Sequence, residues 1–158
     1  KANNIEVLYI GGYHAEAGLM ARQMKDQGMS VQIVSGDALV TQEYWNIAGD
    51  AGEGTIMTFG PDPRDKASAK AIVQKFESAG LNPEGYVLYS YAALQVFEQA
   101  ATKAKSTKSK DLINAMRSTS FDTVLGKITF DKKGDVIATK EDPLYIFYKF
   151  SKGSYAPL

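Results

Sequence analysis

The chain contains no cysteine, a single histidine and no net charge, and each of these absences excludes a class of protein. Without cysteine there is no disulfide framework, no thiolate metal site and no cysteine nucleophile. The 18 Lys and Arg residues balance the 18 Asp and Glu residues, whereas nucleic-acid binders and polybasic membrane-surface proteins usually carry a basic surplus. No apolar run approaches the roughly 18 residues of a membrane-spanning helix. We therefore expect no nucleic-acid partner and no membrane-embedded segment.

What the chain does contain is typical of a folded protein. It has 158 residues, of which 44% are hydrophobic and 23% charged, which is enough to bury a sizeable core. The absence of cysteine leaves the compartment open. No apolar segment follows the first residues, so no signal peptide is predicted, and a processed or truncated start is as compatible with the sequence as a cytoplasmic one.

The first third of the chain alternates between strand and helix patterns. Short apolar runs predict strands at 5–10, 31–34 and 54–59, and amphipathic spacing predicts helices at 15–27 and 41–47. Thr41 is expected to cap the second helix. Strands joined in this way by helices predict right-handed βαβ units and a parallel sheet, and hence an α/β fold.

The rest of the chain falls into two further stretches. A cluster of breakers at 60–63 predicts a crossover, and three helices with apolar faces follow at 67–79, 86–104 and 108–117. We expect no strand among them, so a sheet outside this sequence is the simplest cover for their apolar faces. Residues 121–158 return to strands and a C-terminal β-hairpin. A hairpin-type turn at 131–135 follows the run 128–130, and a β-prone run at 144–150 precedes a final turn at 152–153.

Two residues at strand ends form a candidate binding site. Tyr13 follows Gly11-Gly12 after the first strand, and Asp37 follows the second strand. The carboxyl ends of parallel strands meet at one edge of a sheet, where ligands bind in open α/β folds. An aromatic ring and a carboxylate at that edge suit a small cation. A plain tight turn explains the same glycines without any ligand.

The sequence offers little support for an enzyme. His14, the only histidine, lies at a helix start, where a solvated side chain is the commoner role. No dinucleotide fingerprint, nucleophile elbow or zinc motif is present. We expect no enzymatic activity, no cofactor and no metal, and a small α/β enzyme that uses His14 and Asp37 stays the alternative from another class.

Several segments together resemble the substrate-binding proteins of branched-chain amino acid ABC transporters. In chain order they are 9–18, 36–37, 47–55, 91–93, 121–126 and 130–135. The resemblance runs from about residue 5 to residue 150. It implies a partial type I periplasmic-binding-protein fold, in which two lobes close on an amino acid, with residues 1–59 and 121–158 in the second lobe and 60–120 as a helical segment of the first. The first lobe's sheet has no counterpart, so the chain is expected to be a C-terminal half.

The resemblance also implies roles for the two strand-end residues. Tyr13 matches a tyrosine that lines the ligand pocket, and Asp37 matches an acidic residue that receives the ligand's α-ammonium, where many relatives carry Glu. Ala38 stands where relatives often have Gly. The residues that hold the ligand's carboxylate belong to the first lobe, so which amino acid is bound stays open.

The implied function is periplasmic binding of a branched-chain or related amino acid for delivery to a membrane permease. The alternative is a ligand-sensing domain of the same fold in a receptor or regulator. Because the helices over 67–117 would otherwise expose apolar faces, we also expect a homodimer in which residues 60–120 of one copy cover the sheet of the other.

Overall fold

A computed structural model of the chain describes residues 4–139 and 143–158. The chain divides into two units. Unit 1 comprises Lys1–Pro61 and Pro143–Leu158, and unit 2 comprises Asp62–Asp142. No helix in the described ranges is both long enough and apolar enough to cross a membrane.

The secondary structure follows the order predicted from the sequence. In chain order the elements are β1 (Val7–Ile10), α1 (His14–Asp26), β2 (Gln32–Ser35), α2 (Gln42–Ala48), β3 (Ile56–Phe59), α3 (Lys70–Ser78), α4 (Val87–Ala104), α5 (Ser109–Arg117), β4 (Phe121–Thr123), β5 (Gly126–Ile128), β6 (Ile146–Ser151) and β7 (Ser154–Pro157). The Thr41 hydroxyl caps α2 by accepting the backbone N–H of Glu43, as predicted.

Unit 1 is built on a five-stranded sheet with the order β1-β2-β3-β6-β7. The first three strands are parallel, with Ile10 beside Ser35 in the register. The last two are antiparallel and form a hairpin, whose turn places Lys152 and Gly153 at φ 51° and φ 93°. This turn conformation matches the right-handed twist of the strands. The predicted α/β class, with a parallel βαβ sheet and a C-terminal hairpin, is confirmed.

One face of this sheet packs against α1 and α2. Right-handed crossovers place both helices on the same side, and the two helices contact each other. They approach so closely that a Cβ at Gly18 of α1 would lie 2.7 Å from the side chain of Ile47 in α2. The ring of Tyr44 lies 5.2 Å from that of Phe150. A layer of buried side chains, among them Ile33, Met57, Tyr148 and Phe150, therefore forms the core of unit 1.

The opposite face of the sheet exposes apolar side chains. Val7 and Tyr9 of β1 are 58% and 67% exposed, and Phe147 of β6 is 57% exposed. Side chains alternate between the faces of a strand, so these residues point away from α1 and α2. Parallel sheets are usually covered on both faces. Within unit 1, the described helices cover only one.

Unit 2 packs α3, α4 and α5 around a two-stranded hairpin formed by β4 and β5. Phe121 lies in a buried cluster with Val96 and Leu112, and Val124 lies in a second cluster with Leu88. Much of the apolar surface of the helices is therefore covered from within this chain, unlike the sequence-based expectation.

The third stretch of the sequence was expected to begin at residue 121, whereas the boundary between the units lies after Asp142. Since β4 packs on α4 and pairs with β5, the stretch 121–142 belongs to unit 2 and only Pro143–Leu158 returns to unit 1. The helix expected at 67–79 begins at Lys70, because Ser68 lies in a turn and its hydroxyl donates to the carbonyl of Val124.

Candidate functional site

The candidate site lies where β1 and β2 end side by side. Ile10 and Ser35 are the last residues of these strands and are register partners. The buried Ser35 hydroxyl donates a hydrogen bond to the carbonyl of Ile10 with an oxygen–oxygen distance of 2.7 Å. The loops that carry Tyr13 and Asp37 therefore begin next to each other at the carboxyl edge of the sheet.

Tyr13 occupies the position just before α1. Its backbone is extended, with φ −97° and ψ 166°, and its carbonyl accepts the N–H of Ala17, which begins the helical hydrogen bonding. The side chain makes no capping hydrogen bond and is 71% exposed. The ring is thus held by the helix start but presented to solvent, where a bound molecule could reach it.

Asp37 begins a short 3-10 turn, Asp37–Leu39. The end of this turn is packed into the protein, because Leu39 is fully buried and Val40 is 4% exposed. The Asp37 side chain itself is exposed. Among the described residues, no cationic group pairs with its carboxylate. The carboxylate is therefore available to an external cation.

Tyr9 is a further member of this edge that the sequence analysis did not identify. It lies one residue before the end of β1, on the sheet face opposite to α1 and α2. A Cβ at Gly11 would lie 3.6 Å from its ring, and a Cβ at Gly36 would lie 3.8 Å from its hydroxyl. The ring therefore lies close to both strand ends. The aromatic residue before two strand-end glycines is the signal that could have revealed it.

His14 has a partner that the sequence did not predict. Its Nε2 lies 3.0 Å from Oε2 of Glu43, so the first residue of α1 is tied to the first turn of α2. This contact gives His14 a structural role, because it links α1 to α2. The described residues provide no His14–Asp37 hydrogen bond and no group of three His, Asp or Glu side chains arranged for a metal ion.

The structure thus places both predicted residues in loops at one edge of the sheet. Tyr13 and Asp37 follow adjacent parallel strands, and both side chains are exposed. A carboxylate forms charge-assisted hydrogen bonds with an ammonium group, and an aromatic face attracts a cation. The arrangement can therefore bind a small molecule with a primary ammonium group.

The sequence of the chain matches a protein family and several individual proteins. The family profile described as periplasmic binding protein matches residues 1–150. Leu/Ile/Val-binding protein homolog 1 of Brucella suis biovar 1 is 47% identical over 155 residues, which are 98% of this chain and 41% of that protein.

Solved structures show the same fold. The leucine binding protein of Thermotoga maritima is 26% identical and superposes with a TM-score of 0.80, covering 96% of this chain and 43% of that one. A type 1 periplasmic binding protein of Bordetella pertussis is 20% identical with a TM-score of 0.81, covering 99% and 47%.

The match covers most of this chain but only part of each relative. The chain spans less than half the length of the relatives that it matches, while the family profile covers nearly all of the chain. The resemblance seen in the sequence is confirmed, and so is the partial type I fold. The chain belongs to the periplasmic binding protein family.

Proposed function

We propose that the chain is the amino-acid-binding part of a periplasmic solute-binding protein that serves an ABC transporter. The observation that carries the proposal is the exposed Asp37 carboxylate, which has no cationic partner among the described residues. It lies at the sheet edge where ligands bind in open α/β folds. Asp37 receives the ligand's α-ammonium, and the neighbouring Tyr13 ring lines the pocket and adds cation–π attraction.

The ligand class follows from the relatives. The Brucella protein is named as a Leu/Ile/Val-binding protein homologue, and the Thermotoga protein as a leucine binding protein. In our proposal this chain therefore takes a branched-chain amino acid. Binding proteins rather than enzymes as relatives support a function without catalysis, and the His14–Glu43 contact gives His14 a structural role.

The strength of binding depends on how much of the ligand the chain contacts. The proposed site engages the ammonium group, and nothing in unit 1 is assigned to the ligand's carboxylate. A site that engages only the ammonium group leaves the carboxylate solvated and gains nothing from the closure of two lobes, which would exclude water and strengthen the ion pair. We therefore expect a dissociation constant on the order of millimolar for the 158-residue chain.

The transport partners complete the proposal. In a protein with both lobes, closure on the amino acid would create the surface that a membrane permease recognises. In our proposal the binding protein is located in the periplasm, as the family description indicates.

The exposed apolar surfaces support a proposal about assembly. Val7, Tyr9 and Phe147 are exposed on the sheet of unit 1, and Phe97 and Ile113 are exposed on helices of unit 2. Soluble monomers rarely leave extended apolar patches uncovered. We propose that the chain on its own forms a homodimer, in which helices of the segment 67–117 of one copy cover the exposed sheet face of the other.

A series of leucine analogues tests the ammonium site directly. The ¹⁵N-labelled chain is titrated with leucine, with leucinamide, which keeps the ammonium group, and with 4-methylpentanoate, which keeps the carboxylate. We expect saturable shifts of the amide signals of Gly36 and Asp37 with the first two compounds and none with the third. Equal binding of 4-methylpentanoate, or no saturable shift with leucine, would contradict the proposal.

A further inference from the structure

We propose that Ser35 is a positioning residue of the amino-acid site, and that its hydroxyl fixes the spacing between the Tyr13 loop and the Asp37 loop. The inference rests on the proposed function. It concerns a residue that does not touch the ligand but sets the geometry of two that do.

The Ser35 hydrogen bond joins β1 and β2 just before the two loops begin. Its oxygen donates to the Ile10 carbonyl at 2.7 Å, and the two residues are the last of their strands. One residue, Gly36, separates Ser35 from Asp37, and two glycines separate Ile10 from Tyr13. The bond thus joins the last fixed points of the chain before each loop.

The intervening glycines make this anchor important. Gly11, Gly12 and Gly36 have no side chains that could pack and hold the loops, and glycine is the most conformationally free residue. Among the described residues, the next backbone hydrogen bond that holds the Tyr13 loop is the one from the Ala17 N–H to the Tyr13 carbonyl. The position of Tyr13 relative to Asp37 therefore depends on how firmly Ile10 and Ser35 are joined.

Ser35 acts from within the protein rather than on the ligand. It is 1% exposed and Ile10 is 7% exposed. In the register Ser35 lies beside Met57, and that row of side chains faces α1 and α2. A buried hydroxyl of this kind cannot reach a molecule bound to the exposed Asp37 carboxylate. Its removal leaves the Ile10 carbonyl without this hydrogen bond and frees the two strand ends to separate.

The test separates positioning from general stability by means of a matched control. Thr55 is another buried hydroxyl of unit 1, 1% exposed, and it pairs with the Tyr44 hydroxyl at 2.8 Å. It precedes β3 at the amino end of that strand, whereas Ser35 ends β2. Ser35→Ala and Thr55→Val are both expected to lower the midpoint of thermal unfolding by several degrees.

Only Ser35→Ala is expected to change ligand binding. Its dissociation constant for leucine, measured by NMR titration of the folded variant, should rise roughly tenfold, which corresponds to about 1.4 kcal/mol, while that of Thr55→Val stays within twofold of the parent chain. An affinity of Ser35→Ala within twofold of the parent, or an equal loss in Thr55→Val, overturns the positioning role.

Two additional variants keep the outcomes distinct. If Ser35→Ala does not fold, Ser35→Cys replaces the hydroxyl with a weaker donor; it should weaken leucine binding several-fold, and unchanged affinity overturns the inference. Asp37→Asn is titrated in parallel. If it binds leucine as the parent does, the proposed function fails; if it loses binding while the Ser35 variants keep it, only the positioning role fails.

Discussion

The hydroxyl of Tyr148 donates a 2.9 Å hydrogen bond to the carbonyl of Gly60. Gly60 lies just after β3, where the chain is about to leave unit 1, and Tyr148 lies in β6, after the chain has returned. Both residues are buried. The bond therefore ties together the two passages of the chain through the sheet of unit 1.

Loss of this bond should weaken unit 1 measurably. Tyr148→Phe leaves the buried Gly60 carbonyl without the hydroxyl, which should lower the free energy of unfolding by about 1–3 kcal/mol. Tyr145→Phe is the control, since Tyr145 is 70% exposed, and it should change stability by less than about 0.5 kcal/mol. Urea unfolding of both variants checks this, and equal stabilities would show that the Gly60 carbonyl finds another donor.

The Tyr44–Thr55 pair allows a double-mutant cycle inside the core of unit 1. Tyr44→Phe or Thr55→Val alone removes one partner of a buried 2.8 Å hydrogen bond and should cost about 1–3 kcal/mol. The double variant should lose less than the sum, because no polar group is left unpaired. Denaturant unfolding of the four proteins gives the coupling, and strictly additive losses would contradict a direct interaction.

Asp62 gives unit 2 a stability that depends on pH. Burial raises the pKa of its carboxyl group, but hydrogen bonds from the Arg64 side chain and backbone, together with the Arg64 charge, outweigh burial and hold the pKa below its usual value of 3.8. A lowered pKa in the folded state stabilises the protein above the unfolded pKa, and this stabilisation is lost as the pH falls through the folded value.

The expected result is a difference that disappears in acid. Asp62→Asn should be less stable than the parent by about 1 kcal/mol at pH 7, and the two should converge as the pH falls below 3.8. Asp65→Asn, at an exposed carboxylate in the same turn, is the control and should follow the parent. Thermal unfolding from pH 7 to pH 2.5 measures the difference; a constant offset would rule out the Arg64 linkage.

The proposed homodimer is tested by its mass in solution. Light scattering at tens of micromolar should give twice the mass of one chain. Phe147→Lys places a charge on the exposed sheet face and should shift the equilibrium toward monomer, whereas Leu19→Lys, at an exposed position of α1, should not. A monomeric parent chain that binds no apolar dye would contradict the proposed assembly.

Local sequence patterns predicted the elements of unit 1 and their order. The apolar run 7–10 and the glycines after it mark a buried strand and its end, and parallel connection then places Tyr13 and Asp37 at one edge. The Thr41 cap was also predictable, because capping involves residues that are close in sequence.

The missed features depend on contacts between distant residues. The Ser35–Ile10 and His14–Glu43 contacts join residues 25 and 29 positions apart, and no pattern near either partner signals the other. The packing of 121–142 with the helices before it was missed for a related reason. The apolar character of Phe121 and Val124 does not say which core they enter, and the structure packs them in clusters with residues of α4.

The most direct test of the account is a comparison of leucine binding by the parent chain, Asp37→Asn and Asp50→Asn. Asp50 is also exposed but lies in the turn before β3, at the amino end of that strand. Asn has nearly the shape of Asp but no charge, so Asp37→Asn removes the ion pair alone. If Asp37 binds the ammonium group, NMR titration will give a dissociation constant on the order of millimolar for the parent chain and Asp50→Asn and no saturable binding to Asp37→Asn. Equal affinities of the two variants would contradict this role of Asp37.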